Sequence, residues 1–191
     1  TITAVLEAAR FAPSGGNRQP WRVAVVKDAS LRQTMAGLMR PVWEEYCGAN
    51  AVGRRPFVMG RSIDAPPVAV PNALIDEIAT VPVVLAIAAN LQEIAIMDGN
   101  LERPPVVGGA SIYPFCWSIL LAARAHGLGG VLTTCLSRAE PAAAEPLGLP
   151  ADHALVATIF LGVPTHQNTK LRRNPVNSFA TVDRFDGDSF E

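Results

Sequence analysis

Apolar and polar positions along the 191-residue chain switch between a helical and a strand period several times. Val5, Leu6 and Ala9 share one face of a helix predicted over residues 3–11, with Thr3 as its cap and Pro13 as its stop. From Trp21 to Val26 apolar residues alternate as in a strand. Ser30 and Gln33 then read as a capping box opening a second helix, along which Leu31, Met35, Leu38, Met39, Val42 and Tyr46 follow at helical spacing. That stripe is either core or the lining of a ligand cavity, and Pro41 should kink or interrupt the helix. Val81 to Ala89 is apolar throughout, as in a central strand buried on both faces. Ser111 is the expected cap of a helix running to about His126, with Pro114 in its first turn. This helix is apolar nearly all round, which suits the middle of a structure or a subunit interface. Gly127 is placed to end it in a left-handed cap, and Gly129 to Thr134 turns into another strand. Ser137 and Glu140 suggest one more capping box, for a short helix that Pro146 should not enter. Ala154 to Gly162 is the last strand. The connections 47–79 and 90–110 lack a clear period, and 165–191 reads as an extended polar tail.

Composition narrows the function. Hydrophobic residues make up 49% and charged residues 17%, as in a globular chain folding as one domain over 1–191. A net charge of −1 gives no reason to expect nucleic acid or an anionic membrane as partner. No apolar run approaches the ~20 residues of a membrane span. Cys47, Cys116 and Cys135 form no CxxC, so a reducing, cytoplasmic setting is expected. There is no GxSxG, HExxH or P-loop, and His126, His153 and His166 are scattered, so the acid–base and metal content is weak. Such a chain suits a cofactor that brings its own chemistry.

One loop stands out, Pro13-Ser14-Gly15-Gly16-Asn17-Arg18-Gln19-Pro20-Trp21. Two prolines and two glycines fix its path, and the remaining side chains all hydrogen-bond. By composition alone it is either an ordinary helix-to-strand turn or a seat for a flat ligand rich in carbonyls and ring nitrogens. The glycine-rich turn 127–134 holds no GxGxxG and follows a helix, so it is not a dinucleotide fingerprint, yet it can turn backbone amides toward a ligand. Arg54, Arg55 and Arg61, near Phe57 and Met59, read either as solvated surface or as a cover meeting a charged substrate.

The Pro-Ser-x-x-Asn-x-Gln-Pro-Trp pattern resembles the FMN-dependent nitroreductase family. Tyr113-Pro114, Leu120 to Arg124 and Gly127-Leu128-Gly129 are similar to the same family, in which this helix packs under the flavin. The resemblance implies an α+β fold with a mostly antiparallel central sheet flanked by helices, in an intertwined homodimer with FMN sites at the interface. It implies NAD(P)H as reductant and a small-molecule electron acceptor, a nitroaromatic, quinone or activated alkene. Carried over by position, Pro13, Ser14, Gly15, Asn17 and Gln19 are expected to contact the flavin and ribityl chain. Gly130, Val131, Leu132 and Thr133 are expected beside the ring, and Arg173, or else Arg172, at the phosphate. No residue is nominated as a catalytic acid or base. The family usually begins with an Arg-Arg-Ser-x-Arg segment before the first helix; this sequence starts after that point, so the segment lies upstream of the numbering or FMN affinity is reduced. Other readings are a flavin-fragmenting enzyme similar to dimethylbenzimidazole synthases, which would destroy the flavin spectrum with oxygen, a non-catalytic flavin or deazaflavin module, and a cofactor-free structural dimer.

Overall fold

The computed structural model describes residues 1–57, 64–166 and 169–190. Its centre is a four-stranded sheet of β1 (Trp21–Val26), β2 (Val83–Asn90), β3 (Gly129–Thr133) and β4 (His153–Gly162), in the order β1-β2-β4-β3. Every pairing is antiparallel. β2 and β4 are the inner strands, and β2 is buried on both faces, as its unbroken apolar run requires.

Alternation along the strands divides the core in two. Leu85, Ile87 and Ala89 of β2, with Ala157, Ile159 and Leu161 of β4, pack on α1 (Ile2–Ala9) and on a 13-residue helix, Tyr113–Ala125. Val84 and Ala86, with Phe160, face the other way, onto the long helix α2 (Ala29–Ala51) and the short helices α3 (Ala73–Asp76), α5 (Cys135–Arg138) and α6 (Glu140–Leu147). The 13-residue helix is α4. Leu155 has the parity of Ala157 but lies on the opposite face. A bulge explains it: Ile87 pairs with Ala157 and Ala88 with Leu155, so Val156 is the extra residue and the pleat flips. Trp21 stacks on Phe115 at 4.6 Å between ring centroids, fixing the start of β1 to α4.

Several local expectations are corrected. Helix α1 spans Ile2–Ala9 with Thr1 at its N-cap, so Thr3 lies inside it. Asp28, and not Ser30, caps α2, its carboxylate accepting from the Leu31 amide at 2.7 Å. That helix runs through Pro41 and past Cys47 to Ala51. Gly37 stands at the position whose carbonyl the Pro41 ring crowds, and Gly48 is bare because a Cβ there would meet the Pro66 carbonyl oxygen. Residues 66–70 are thereby laid on α2, where the Val68 amide donates to the Glu44 carbonyl at 3.0 Å and the Trp43 indole donates to the Val70 carbonyl at 2.7 Å. The connection 47–79 is therefore helical at both ends, with α3 and a 3-10 turn at Ile78–Thr80 before β2. Ser111 does not cap α4, whose N-cap is Ile112. Glu140 forms no capping box with Ser137, because its carboxylate accepts from the Leu155 amide of β4. Pro146 sits inside the last turn of α6. Gly127, by contrast, does end α4 at φ 76°, and Leu128 N–H returns to the Ala123 carbonyl at 2.9 Å.

The connection 90–110 is closed by one side chain. Buried Asp98 accepts from the amides of Val106 (2.8 Å) and Val107 (3.3 Å) and from Arg103 (2.7 Å). Arg32, also buried, donates to the carbonyls of Val26, Ala79 and Val81, tying α2 to the ends of β1 and β2.

Candidate functional site

The loop between α1 and β1 is a single 3-10 turn, Gly15–Asn17, held from both sides. The Ser14 hydroxyl oxygen accepts from the Gln19 amide at 3.0 Å, and the Ser14 carbonyl accepts from Asn17 at 2.9 Å. Gly15 N–H donates to the Ser111 hydroxyl at 3.0 Å. Ser111 thus anchors the loop to the turn that leads into α4. The two residues are 96 positions apart, so no spacing pattern revealed the contact.

Three residues of the loop have left-handed backbones: Gly16 (φ 60°), Asn17 (φ 55°) and Gln19 (φ 51°). Glycine takes this conformation freely and asparagine readily, whereas for glutamine it costs on the order of 1–2 kcal/mol. Contacts within the loop offset that cost, since the Gln19 side-chain amide also reaches Asn17 Oδ1 at 3.3 Å. Strain held in an exposed loop marks a place where backbone direction matters more than local stability. The carboxamides of Asn17 and Gln19 are exposed, and the Ser14 hydroxyl keeps its proton to donate. Pro13 is also exposed. Gly15 differs, because its amide donates to Ser111 and its carbonyl accepts from the Arg18 amide at 3.3 Å, leaving its bare Cα to face a ligand.

The second group of expected residues forms β3, an edge strand whose one flank pairs with β4. An edge leaves a row of backbone amides and carbonyls available. Gly130 is glycine for a packing reason: a Cβ would lie 2.6 Å from Leu120 Cδ2 and 2.7 Å from Leu161 Cδ2. Val131 is 46% exposed, while Leu132 is partly buried against α4. The Thr133 hydroxyl oxygen accepts from the Cys135 amide at 3.2 Å, which turns the strand into α5. Two clefts border β3. One, of about 700 Å³, includes Arg124, Gly129, Gly130, Val131 and His166. The other, of about 210 Å³, includes Trp43, Val131, Leu132, Thr133, Cys135 and Phe160. Trp43, Cys135 and Phe160 come from three separate elements, and only the folded chain brings them to the strand.

These two groups do not meet within one chain. β1 and β3 are opposite edges, three strand spacings or about 14 Å apart. The register adds a second displacement. Thr133 pairs with Thr158, Thr158 with Ala86 and Ala86 with Ala24, three residues short of Trp21 and thus about 10 Å along the strands from the loop. For Gly130 the offset is about 20 Å. Helix α4 gives the same answer independently: the loop is anchored at its start, β3 follows its end, and its 13 residues span about 20 Å.

Arg172 and Arg173 are exposed in the tail, where Arg173 donates to the Arg172 carbonyl at 2.7 Å. Among the described residues neither pairs with a carboxylate. The tail is partly ordered by a 3-10 turn at Val176–Ser178 and a bridge between Thr181 and Ser189. Arg54 and Arg55 are exposed, and Phe57 lies under the Arg138 guanidinium at 5.0 Å; Met59 and Arg61 fall outside the described residues. Burial pushes the Cys116 thiol up to about 11, so it stays protonated in the core. Burial also raises Tyr113, whose hydroxyl donates to the Val156 carbonyl at 3.4 Å.

Known proteins share this fold. The chain is similar to a protein described as an NADH dehydrogenase from Thermus thermophilus, with 30% identity over 179 residues, 90% of this chain and 80% of the relative. Its fold matches a Desulfovibrio desulfuricans protein solved in complex with FMN, at TM-score 0.66 and 21% identity, over 96% of this chain and 84% of that one. It also matches the NADPH:FMN oxidoreductase of Vibrio harveyi solved with NAD+, at TM-score 0.66 and 18% identity, over 96% of this chain and 67% of that one. A third match, NfrA2 of B. megaterium, has TM-score 0.67 and 17% identity, and this chain spans 65% of its length. The model of the nitroreductase family matches residues 1–163, which carry both the Pro13–Trp21 loop and β3, and the chain belongs to that family.

Proposed function

We propose that the protein is an FMN-dependent NAD(P)H oxidoreductase that reduces small acceptors such as nitroaromatics, quinones or activated alkenes. We further propose that residues 1–191 act as one FMN-binding domain in a homodimer with two shared sites. The observation that carries this reading is the placement of two ligand-ready groups at opposite corners of one sheet. A twofold axis across α4 accounts for it. Tyr113, Trp117 and Leu121, at i, i+4 and i+8, are 45%, 60% and 54% exposed, an apolar stripe along one side of that helix. Pairing two such helices antiparallel sets the start of one beside the end of the other, so the loop of one chain approaches β3 of its partner.

The residues fit the cofactor. Asn17, Gln19 and the Ser14 hydroxyl supply donors and acceptors for a flat ring system rich in carbonyls and nitrogens. The free flank of β3, an edge strand, supplies backbone amides. Arg173 or Arg172 supplies a planar fork for a phosphate. FMN, when bound, would supply two-electron transfer from NAD(P)H to the acceptor. The chain's part would be to bind and orient: a free β3 amide beside the ring would favour negative charge on it. Solvent supplies protons, since the bordering clefts are open. Trp43 and Val131, which line the smaller cleft, are the apolar surfaces an aromatic acceptor would meet.

The test is a visible spectrum of protein loaded with FMN and freed of excess, followed anaerobically with NADPH and then NADH. A yellow protein that bleaches with a nicotinamide and regains colour with a quinone or nitroaromatic is expected. A colourless protein, or one that neither nucleotide bleaches, overturns the reading.

A further inference from the structure

On the α2 side of the sheet, a cavity of about 330 Å³ is lined by no residue of β3 or of the Pro13–Gln19 loop. Its floor is made of small residues on neighbouring strands: Ala24 of β1 faces Ala86 of β2, and Ala88 lies one pleat further on. Ala86 and Ala88 are buried beneath their neighbours, whereas Ala24 is exposed, so this end of the sheet lacks the cover that α2 gives the other end.

The far wall is rigid. Gly148 caps α6 at φ 60°, and Leu149 N–H returns to the Ala144 carbonyl at 2.8 Å. The chain then turns at Pro150, whose carbonyl accepts from the His153 amide at 3.0 Å. The wall is therefore fixed by backbone bonds before any ligand arrives.

Three charged or titratable groups gather at its polar side. Arg22 pairs with Ala88 across the strands, and among the described residues only its Nη1 is engaged, donating to the Trp21 carbonyl. The His153 side chain is 10% exposed, and its Nδ1 lies 2.7 Å from Asp152 Oδ1. No protein group among the described residues bonds its Nε2. The Asp152 carboxyl is held below its usual range, first by the His153 hydrogen bond and more weakly by the Arg22 charge. Asp152 is thus committed to His153, and the guanidinium keeps donors to spare.

We propose that the cavity floored by Ala24, Ala86 and Ala88 is a binding site for a small apolar monocarboxylate, with its body on the alanine floor and its carboxylate on Arg22. His153, held by Asp152, closes the polar side of the cavity beside Arg22. The size suits a single ring with a short acid arm, since ligand pockets begin at about 300 Å³. Charge selects the head group: a guanidinium fork recognises a carboxylate in two parallel bonds, whereas a neutral amide forms only one acceptor contact. Nothing in this proposal depends on the flavin reading.

The test uses the full chain loaded with FMN, labelled with ¹³C at alanine methyls, and phenylacetate as probe. The methyl signals of Ala24, Ala86 and Ala88 are expected to shift saturably, with phenylacetate binding at least tenfold more tightly than phenylacetamide. Arg22→Gln should abolish that tenfold preference, and Ala88→Leu should remove binding by filling the floor. The phenylacetate–phenylacetamide comparison needs no variant, so the proposal stays testable if Ala88→Leu folds poorly. No saturable shift at these methyls, equal affinity for acid and amide, or binding that instead perturbs the flavin absorption and the β3 signals overturns it.

Discussion

Replacing Gly130 by alanine tests the packing at β3 more sharply than any charged substitution. The new methyl would stand 2.6 Å from Leu120 Cδ2, 2.7 Å from Leu161 Cδ2 and 3.4 Å from the Phe160 carbonyl. Leu161 is 1% exposed and sits in the core between α1, α4 and the sheet, so its displacement forces neighbours to move. Overpacking of this kind costs about 1–3 kcal/mol. Alanine also narrows the unfolded ensemble, which returns about 0.4–1 kcal/mol. The net expectation is a loss of about 1–2 kcal/mol, or roughly 2–8 °C in Tm for a chain of this length. Gly37→Ala is the counterpart. It lies in α2 with nothing within 4 Å of a built Cβ, so it should stabilise by about 0.5–1 kcal/mol. Thermal melts followed by circular dichroism, with both variants in matched buffer and FMN, read the two signs side by side. Gly130→Ala as stable as the parent chain, or Gly37→Ala less stable, would refute the packing argument.

Other outcomes follow from the same geometry. Ser111→Ala removes the acceptor for Gly15 N–H and should cost about 0.5–1.5 kcal/mol, read as faster amide exchange at Gly15 and weaker FMN binding; unchanged exchange there would separate Ser111 from the loop. Arg173→Ala should weaken FMN more than riboflavin, since only FMN carries a phosphate; equal losses in titrations of the two would move the phosphate contact elsewhere. The Asp98 carboxyl is held low first by the Val106 amide and then by Arg103. Its stabilising contribution is therefore present above the unfolded carboxylate value of about 3.9 and is lost as pH falls through the lower folded value. Proteolysis within 90–110 should accelerate in that acid window and, in Asp98→Ala, already be fast at neutral pH; a pH-independent cleavage rate would contradict this.

What the sequence disclosed depended on how local the determinant was. β2 was legible because a strand buried on both faces has no alternation to misread, and Gly127 because a left-handed cap needs only its own backbone freedom. The Pro13–Trp21 loop was legible as a residue pattern, and it carried the family. Distant partners hid the rest. Gly48 looks like a helix breaker until the Pro66–Pro67 backbone is in place. Ser30 and Asp28 both suit a cap, and only the path out of β1 selects Asp28. Ser111 resembled a cap but serves a loop 96 residues away. Val156 as a bulge cannot be read from β4 alone, since it exists only in register with β2. The separation of the loop from β3 needed the strand order, which periodicity does not encode.

The claim that each flavin site is assembled from the loop of one chain and β3 of its partner can be tested by complementation. Asn17→Ala disables the loop half, and Val131→Glu, at an exposed position of β3, disables the other. Each homodimer should bind FMN poorly. A heterodimer of the two, purified with separate tags, should regain one site in which both halves are intact and lose the other entirely. The account predicts one FMN per heterodimer, held with the affinity of the parent protein. Two equally weakened sites, or none, would mean that each chain builds its own site, contradicting the account.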